Sequence, residues 1–75
     1  MDTLDLHGMR HEDARKAIIR FIEDRWGKDV PVEIVTGHIE AMRVVAKTVL
    51  HEYQLEYHVG GYLNINPAII TTEIE

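Results

Sequence analysis

A strand pattern of six residues that ends in glycine and leads into a helical pattern constrains this fold most. In residues 3–8, two leucines alternate with Asp5 and His7 before Gly8 is reached. Residues two apart in a strand share a face, so the leucines are expected to face a core and the two ionisable side chains to face outward. Glycine permits a sharp turn before the helix begins. We therefore predict a strand, turn and helix, with a carboxylate and an imidazole near the carboxyl end of the strand.

The chain is short and has no cysteine, which limits how it can be stabilised. Its 75 residues allow one domain with a small core, which we predict to span residues 1–75. Without disulfides or thiolate metal sites, packing of helices on a sheet has to hold the fold together. No apolar run approaches the roughly 18 residues needed to cross a bilayer, and no N-terminal signal pattern is present. We expect no membrane partner and a cytoplasmic location.

The charge of the chain argues against indiscriminate binding of nucleic acid. The formal net charge is −5, and an acidic protein repels a polyanion unless its basic side chains are concentrated on one surface. Six of the eight Lys and Arg residues lie at or before Lys28, and the other two, Arg43 and Lys47, lie four apart in a predicted helix. The sequence thus allows a small basic patch near the helix starts without requiring one.

Two segments have the apolar spacing of amphipathic helices. The first runs from Glu12 to Trp26 and is expected to stop at Gly27. Its predicted buried stripe consists of Ala14, Ala17, Ile18, Phe21, Ile22 and Trp26. The second runs from about Ile39 to Tyr53, with Arg43 and Lys47 on its outer face. Its predicted stripe consists of Ala41, Val44, Val45, Thr48, Val49 and Tyr53.

Three further segments have the composition and alternation of strands. They are Val30–Thr36, Leu55–Val59 and Ile69–Ile74, with turn residues at 64–67 before the last one. The element order is therefore βαβαββ, and right-handed crossovers would place both helices on one face of a single sheet. We predict a two-layer α/β sandwich. Its predicted core comprises Leu4, Leu6, Ile18, Phe21, Ile22, Ile34, Val45, Val49, Ile70 and Ile74.

Parallel pairing of the first two strands would bring the turns that follow them to the same edge of the sheet. Asp5, His7 and Gly8 would then approach residues 36–38, with the amino ends of both helices pointing at that edge. We predict that His7 and Gly37 lie on adjacent strand ends, within about two inter-strand spacings of roughly 5 Å each. This edge is the predicted functional concavity.

With both turns located, the chain resembles the small MutS-related (Smr) domain family. That family opens with Leu-Asp-Leu-His-Gly, which residues 4–8 match in full, and has a later Thr-Gly-x-Gly motif at its second strand-to-helix turn. Thr36 and Gly37 match the start of the second motif, whereas Ile39 replaces its second glycine, and the usual basic residues of that loop are missing. The Glu-Asp-Ala sequence at 12–14 is similar to the family's Glu-Glu-Ala helix start.

The resemblance implies a fold like the C-terminal domain of translation initiation factor three. That fold has a four-stranded mixed sheet of order 1-2-4-3, with the last strand antiparallel to the others. The resemblance also implies association with nucleic acid, and DNA-nicking or RNA-cleaving endonuclease activity is reported for some members. Carried over residue by residue, this activity points to Asp5, His7, Gly8, Thr36 and Gly37. Ile39 resists the positive φ that glycine would allow in a phosphate-cradling turn.

Asp5 and His7 are the candidate catalytic residues. In one hypothesis His7 moves a proton during attack on a phosphodiester, Asp5 orients or activates it, and backbone amides of Gly37 and His38 hold the phosphate. In the other, both side chains only hydrogen-bond locally on the open face of a strand. The predicted phosphate-binding residues are Gly8, Arg10, Thr36, Gly37, His38, Arg43 and Lys47.

A metal hypothesis would use Asp5, His7 and His38 as ligands of a divalent ion such as magnesium, because such ions accept carboxylate and imidazole. No HExxH or CxxC spacing supports it, so we predict no resident metal or cofactor. Two functions remain open. One is an Smr-like nuclease acting on DNA or RNA, and the other is a non-catalytic adaptor of the same fold that binds nucleic acid or a protein partner.

Overall fold

The computed structural model describes residues 2–61 and 66–75, which form six elements in the predicted order βαβαββ. They are β1 (Asp2–Asp5), α1 (His11–Arg25), β2 (Val30–Val35), α2 (Glu40–Glu52), β3 (Tyr57–Val59) and β4 (Ile69–Ile74). The predicted last strand is confirmed in its bounds, whereas β3 begins two residues later than predicted. Residues 64 and 65 of the predicted turn at 64–67 lie outside the described residues. Within the described part, Asn66 accepts hydrogen bonds from the amides of Ala68 and Ile69, both at 3.0 Å.

The sheet has the strand order β1-β2-β4-β3. β1 pairs parallel with β2, and β4 pairs antiparallel with both of its neighbours. The predicted mixed sheet of order 1-2-4-3 is therefore confirmed, with the last strand antiparallel to the others. The first two strands end at the same edge, and this places their two turns side by side.

One face of the sheet is covered by both helices. Strand pairing aligns Leu4 with Ile34 and Ile34 with Ile70, so these side chains share that face. The core cluster comprises Leu6, Ala14, Ile18, Phe21, Ile22, Val32, Ile34, Met42, Ala46, Val49, Leu50, Leu55, Ile70 and Ile74. All ten predicted core residues belong to this cluster or pack against it, with Leu4 and Val45 only partly buried.

The predicted buried stripe of α2 is wrong in part. Val49 is buried and Val45 and Tyr53 are partly buried as expected, but three members of the stripe are exposed: Ala41, Val44 and Thr48. Their place in the core is taken by Met42, Ala46 and Leu50. The helix is thus rotated by about 100°, one residue, from the predicted orientation. Met42 and Leu50 bury more apolar area than Ala41 and Thr48, and this rotation therefore has the lower free energy.

The prediction that Trp26 belongs to the core is also wrong. α1 ends at Arg25, and the Trp26 side chain, which follows it, is 48% exposed and packs on Tyr53 with 5.7 Å between ring centroids. The space beneath the last turns is already filled by Phe21 and its neighbours, and the Arg25 guanidinium lies 3.8 Å from the Phe21 ring centroid. A tryptophan one residue beyond the helix cannot reach the sheet past these side chains.

Candidate functional site

The first turn is held by the carboxylate of Asp5. Its Oδ1 accepts a hydrogen bond from the backbone N–H of His7 at 2.9 Å, while the amide of Met9 donates to the carbonyl of Leu6 at 3.0 Å. Gly8 has φ +82°, the conformation that glycine adopts most easily at the third position of a β-turn. Asp5 therefore contacts the backbone of His7 and fixes the turn that presents the imidazole.

The second turn is held from inside the protein. Thr36 is buried, and its amide and that of Gly37 both donate to the carbonyl of Ala68, at 2.7 and 3.2 Å. The Thr36 hydroxyl lies 3.1 Å from the same carbonyl and 3.0 Å from that of Gly37. These contacts shape the turn and leave neither the Thr36 side chain nor the Gly37 amide directed at a ligand.

The two turns meet at one edge of the sheet, as predicted. The amide of Leu6 donates to the carbonyl of Val35 at 2.8 Å, which joins the ends of the first two strands. A Cβ atom on Gly37 would lie 3.7 Å from Cδ2 of His7, so the imidazole packs directly over this glycine. The predicted proximity of His7 and Gly37 is confirmed, and the exposed imidazole borders the segment that leads into α2.

The amino end of α2, three residues after Gly37, presents backbone amides. Ile39 is the N-cap residue, and its carbonyl accepts from the amides of Met42 and Arg43 at 3.1 and 3.2 Å. Among the residues that the structure describes, no side chain caps this helix. Within the described ranges, the amides of Glu40 and Ala41 have no protein acceptor, as is usual for the first residues of a helix. Such amides, with the positive end of the helix dipole, favour a bound anion.

Arg43 compensates the one carboxylate at this helix start. Its Nε donates to Oε2 of Glu40 at 3.0 Å, and its Nη1 to the carbonyl of Pro67 at 3.4 Å. The Arg43 guanidinium, hydrogen-bonded to Glu40, holds the pKa of that carboxyl below its usual value. The Arg43 side chain is only 18% exposed. We therefore assign it to neutralising Glu40 and supporting the helix start. Lys47, one turn further on, is half-buried and has no ion-pair partner among the described residues.

The amino end of α1 is less favourable for an anion. It has Glu12 and Asp13 in its first turn, and no ion pair within the described ranges neutralises either one. Its N-cap residue, Arg10, is exposed and is the nearest cation in sequence to the first turn. Two carboxylates already compensate this dipole, so the start of α2 is the better place for a phosphate.

The uncovered face of the sheet is acidic. By the register of the strands, Asp5, Glu33 and Glu73 lie on the face opposite the helices. Repulsion between these carboxylates and a phosphate backbone disfavours nucleic acid on this face. Any such ligand is better accommodated at the edge where the two turns meet.

The metal hypothesis gains no geometric support. In residues 2–61 and 66–75, no group of three or more His, Asp or Glu side chains is close enough together to hold a metal ion. Asp5, His7 and His38 therefore do not form a ligand set. Neither helix of the described chain has both the length and the apolar character needed to span a membrane.

The fold and its paired turns define a two-layer α/β domain with an imidazole at the junction of two strand-to-helix units. A family model of the Smr domain matches residues 4–70 of the 75. The chain therefore belongs to the Smr domain family, whose members generally bind nucleic acid and in some cases have nuclease activity. Comparison with curated proteins finds no match.

Ala68 and Glu40 contribute to the site but were not predicted from the sequence. Ala68 acts only through its carbonyl, which any residue possesses. The type of side chain at this position therefore does not indicate its role in the sequence. Glu40 lies three residues before Arg43, and this spacing, which is visible in the sequence, allows an ion pair on a helix. Both residues support the second turn.

Proposed function

We propose that this Smr domain binds the phosphate backbone of DNA or RNA at the edge where its two turns meet, and that His7 transfers a proton during cleavage of a phosphodiester bond. The observation that supports this most directly is the packing of the His7 ring over Gly37, three residues before the start of α2, whose first amides have no acceptor among the described residues. An imidazole can both accept and donate a proton and can therefore serve as a general base or acid.

The phosphate is held by backbone amides near the start of α2. Those of Glu40 and Ala41 take the role that the sequence had suggested for Gly37, whose amide is bonded to Ala68. A helix start contributes only about 0.3–1 kcal/mol to binding an anion at an exposed site, so it cannot give high affinity alone. Arg10 and Lys47 add attraction to neighbouring phosphates, and binding is expected to be weak and salt-dependent.

The chemistry requires one proton to be taken up and one to be delivered. His7 accepts a proton from the attacking group, a water molecule or, in RNA, the 2′-hydroxyl; a new P–O bond forms, the bond to the leaving oxygen breaks, and that oxygen takes a proton from the His7 imidazolium or from solvent. Asp5 acts as a positioning residue, because its carboxylate bonds the backbone of His7 and sets the direction of the ring. The buried carbonyl contacts of Thr36 hold the opposite wall of the site in place.

The proposal is tested with the purified chain, supercoiled plasmid and a structured RNA, each with and without Mg²⁺. Cleavage by the wild type should be lost in His7→Ala, while binding measured by fluorescence anisotropy is largely retained. His51→Ala is the matched control, because His51 is exposed but lies in the last turn of α2, away from the edge. Cleavage that survives His7→Ala contradicts the assignment of His7.

The non-catalytic adaptor is the second candidate, and the contacts of Asp5 favour it. Its carboxylate bonds a backbone amide, not the imidazole, and within residues 2–61 and 66–75 no hydrogen bond joins a carboxylate to the His7 ring. If the wild type binds DNA or RNA without cutting either one, and His7→Ala binds equally well, the domain is an adaptor. If neither nucleic acid binds even at low salt, its partner is a protein.

A further inference from the structure

A second surface lies between the edge strand β1 and the outer side of α1. This β1–α1 groove has a floor formed by Leu4, Ala17 and Phe21, and Lys16 and Arg20 stand on its rim. Its volume is about 560 Å³ and its lining is mostly apolar. The proposed nucleic-acid site uses none of these residues.

The groove runs beside an unpaired strand edge. In the described part of the chain, β1 pairs only with β2. Successive residues of a strand direct their main-chain groups to opposite sides. Because the amide of Leu6 points to β2, the N–H and C=O groups of Thr3 and Asp5 point away from β2. An extended peptide that adds to such an edge gains main-chain hydrogen bonds, and an adjacent apolar groove can take its alternate side chains.

The charged residues on the rim of the β1–α1 groove determine which kind of partner fits it. Lys16 and Arg20 are exposed, lie one helical turn apart and form no ion pair within the described ranges. Arg25 closes one end of the groove, where it bonds Asp2 at 2.7 Å and covers the ring of Phe21. Among the described residues that line the groove, Asp24 is the one carboxylate. The groove is therefore locally basic on a chain whose net charge is −5.

We propose that the β1–α1 groove binds an extended acidic peptide segment of another protein, which adds as a strand beside β1. Its alternate apolar side chains lie over Leu4 and Phe21, and its carboxylates lie near Lys16 and Arg20. A second copy of this chain fits less well, because two-fold pairing of two β1 strands would place both α1 helices on the same face and set the Lys16 and Arg20 rims of the two copies against each other.

The test is a titration of the ¹⁵N-labelled chain with three blocked hexapeptides. One has valine and glutamate in turn at the positions of one strand face, with serine between them, so that both types of side chain are turned to the groove. The second has lysine in place of glutamate, and the third is the glutamate peptide with the amides that would face β1 N-methylated. Only the first should bind, with amide shifts that begin at Thr3 and Asp5. The net charge of the protein by itself would favour the lysine peptide, so preference for the acidic one reports the local charge of the groove.

Variants test the same groove. Loss of both rim cations in Lys16→Gln/Arg20→Gln should weaken binding of the acidic peptide about fivefold, whereas Arg15→Gln, which removes a charge that faces Glu52 of α2 outside the groove lining, should leave it unchanged. Ala17→Arg should block the floor, with far-UV circular dichroism confirming the fold of each variant.

Three results with the peptides overturn the proposal. They are equal binding of the N-methylated peptide, unchanged affinity in the double glutamine variant, and peptide-induced shifts centred on the turns at Gly8 and Gly37. Concentration-dependent dimerisation in sedimentation velocity, with the same shifts at Thr3 and Asp5 in the absence of peptide, would assign the groove to a second copy and also overturn it.

Discussion

Thr36 is buried at 2% exposure behind the second turn, and its hydroxyl is within hydrogen-bond distance of the Ala68 carbonyl. Thr36→Val removes this hydrogen bond with little change in shape. It should lower the free energy of unfolding by about 1 kcal/mol, because the carbonyl keeps its two amide donors. Urea unfolding measures this loss. Thr36→Ser keeps the hydroxyl and should lose less; a smaller loss in Thr36→Val than in Thr36→Ser would show that the methyl group, not the hydroxyl, matters.

Gly37 requires a backbone conformation that other residues adopt at a cost. Its φ is +75°, and a Cβ atom there would only touch the His7 ring at 3.7 Å, so strain of the backbone dominates. Gly37→Ala should destabilise the fold by about 1–2 kcal/mol and also reduce cleavage and binding of nucleic acid. Gly27→Ala is the matched control, with φ +83° in the turn after α1 and a similar loss of stability. If both variants bind nucleic acid alike, the second turn is not part of the site.

The individual site residues differ in how much the sequence could say about them. The alternation of leucines with Asp5 and His7 was enough to place both ionisable side chains on the side away from the core. It could not say which donor the Asp5 carboxylate would bond, because a short carboxylate reaches the backbone of its own turn as easily as a neighbouring ring. Nor could it locate the Ala68 carbonyl, which depends on pairing between distant strands.

Phe21 anchors α1 to the sheet. It is 8% exposed beneath the Arg25 guanidinium, and Phe21→Ala would open a cavity between the two layers. The expected loss is about 3–5 kcal/mol, enough to unfold a domain of this size. Trp26→Ala is the aromatic control, since Trp26 is exposed and its contact with Tyr53 is worth at most about 1.5 kcal/mol beyond its buried area. Thermal unfolding followed by circular dichroism should separate the two, and a small shift for Phe21→Ala would contradict its place in the core.

α2 shows where periodicity alone is ambiguous. Its sequence contains two overlapping apolar stripes, and the choice between them depends on the shape of the sheet beneath. Met42 and Leu50 reach that surface, whereas Val44 is left exposed on the outer side. α1 had no competing stripe, because charged residues occupy the adjacent positions, and its buried face was predicted correctly except at Trp26. The existence of an amphipathic helix was thus predictable, but its rotation was not.

Two ion pairs make the stability of the whole molecule dependent on acid pH. Hydrogen bonds from Arg25 and Arg43 hold the pKa values of Asp2 and Glu40 below their usual values of 3.8 and 4.5. The ionised forms are favoured in the folded state, so their contribution is present above those usual values and is lost as the pH falls through the lower folded-state pKa values. The free energy of unfolding should therefore decrease below about pH 4.5.

Urea unfolding at pH 7 and pH 3 measures this dependence. The double variant Asp2→Asn/Glu40→Gln removes both titrating groups and should show a smaller difference between the two pH values than the wild type does. Other carboxylates also titrate in this range, so some dependence will remain. An undiminished difference in the double variant would show that these two pairs do not contribute.

The topology as a whole was accessible from the sequence because few arrangements satisfy the rules of connection. Two right-handed crossovers with helices on one face leave little choice for the first two strands. The position of β4 between β2 and β3 could not be predicted in this way, since either β3 or β4 could pair with β2. It came only from the resemblance to a known family, which residues 4–70 bear out.

The inserted position of β4 has a consequence for how the protein forms during synthesis. β3 pairs with β4, and β2 pairs with β1 and β4, so until residues 69–74 are made the sheet exists as a two-stranded half and a lone strand. Until β4 is available, one edge of β2 is unpaired and Ile34 is incompletely covered. A chain in this state is prone to pair with other chains. A pause in translation before Ile69 would prolong this vulnerable interval, and its end would be an all-or-none closure when the final strand enters between its two neighbours.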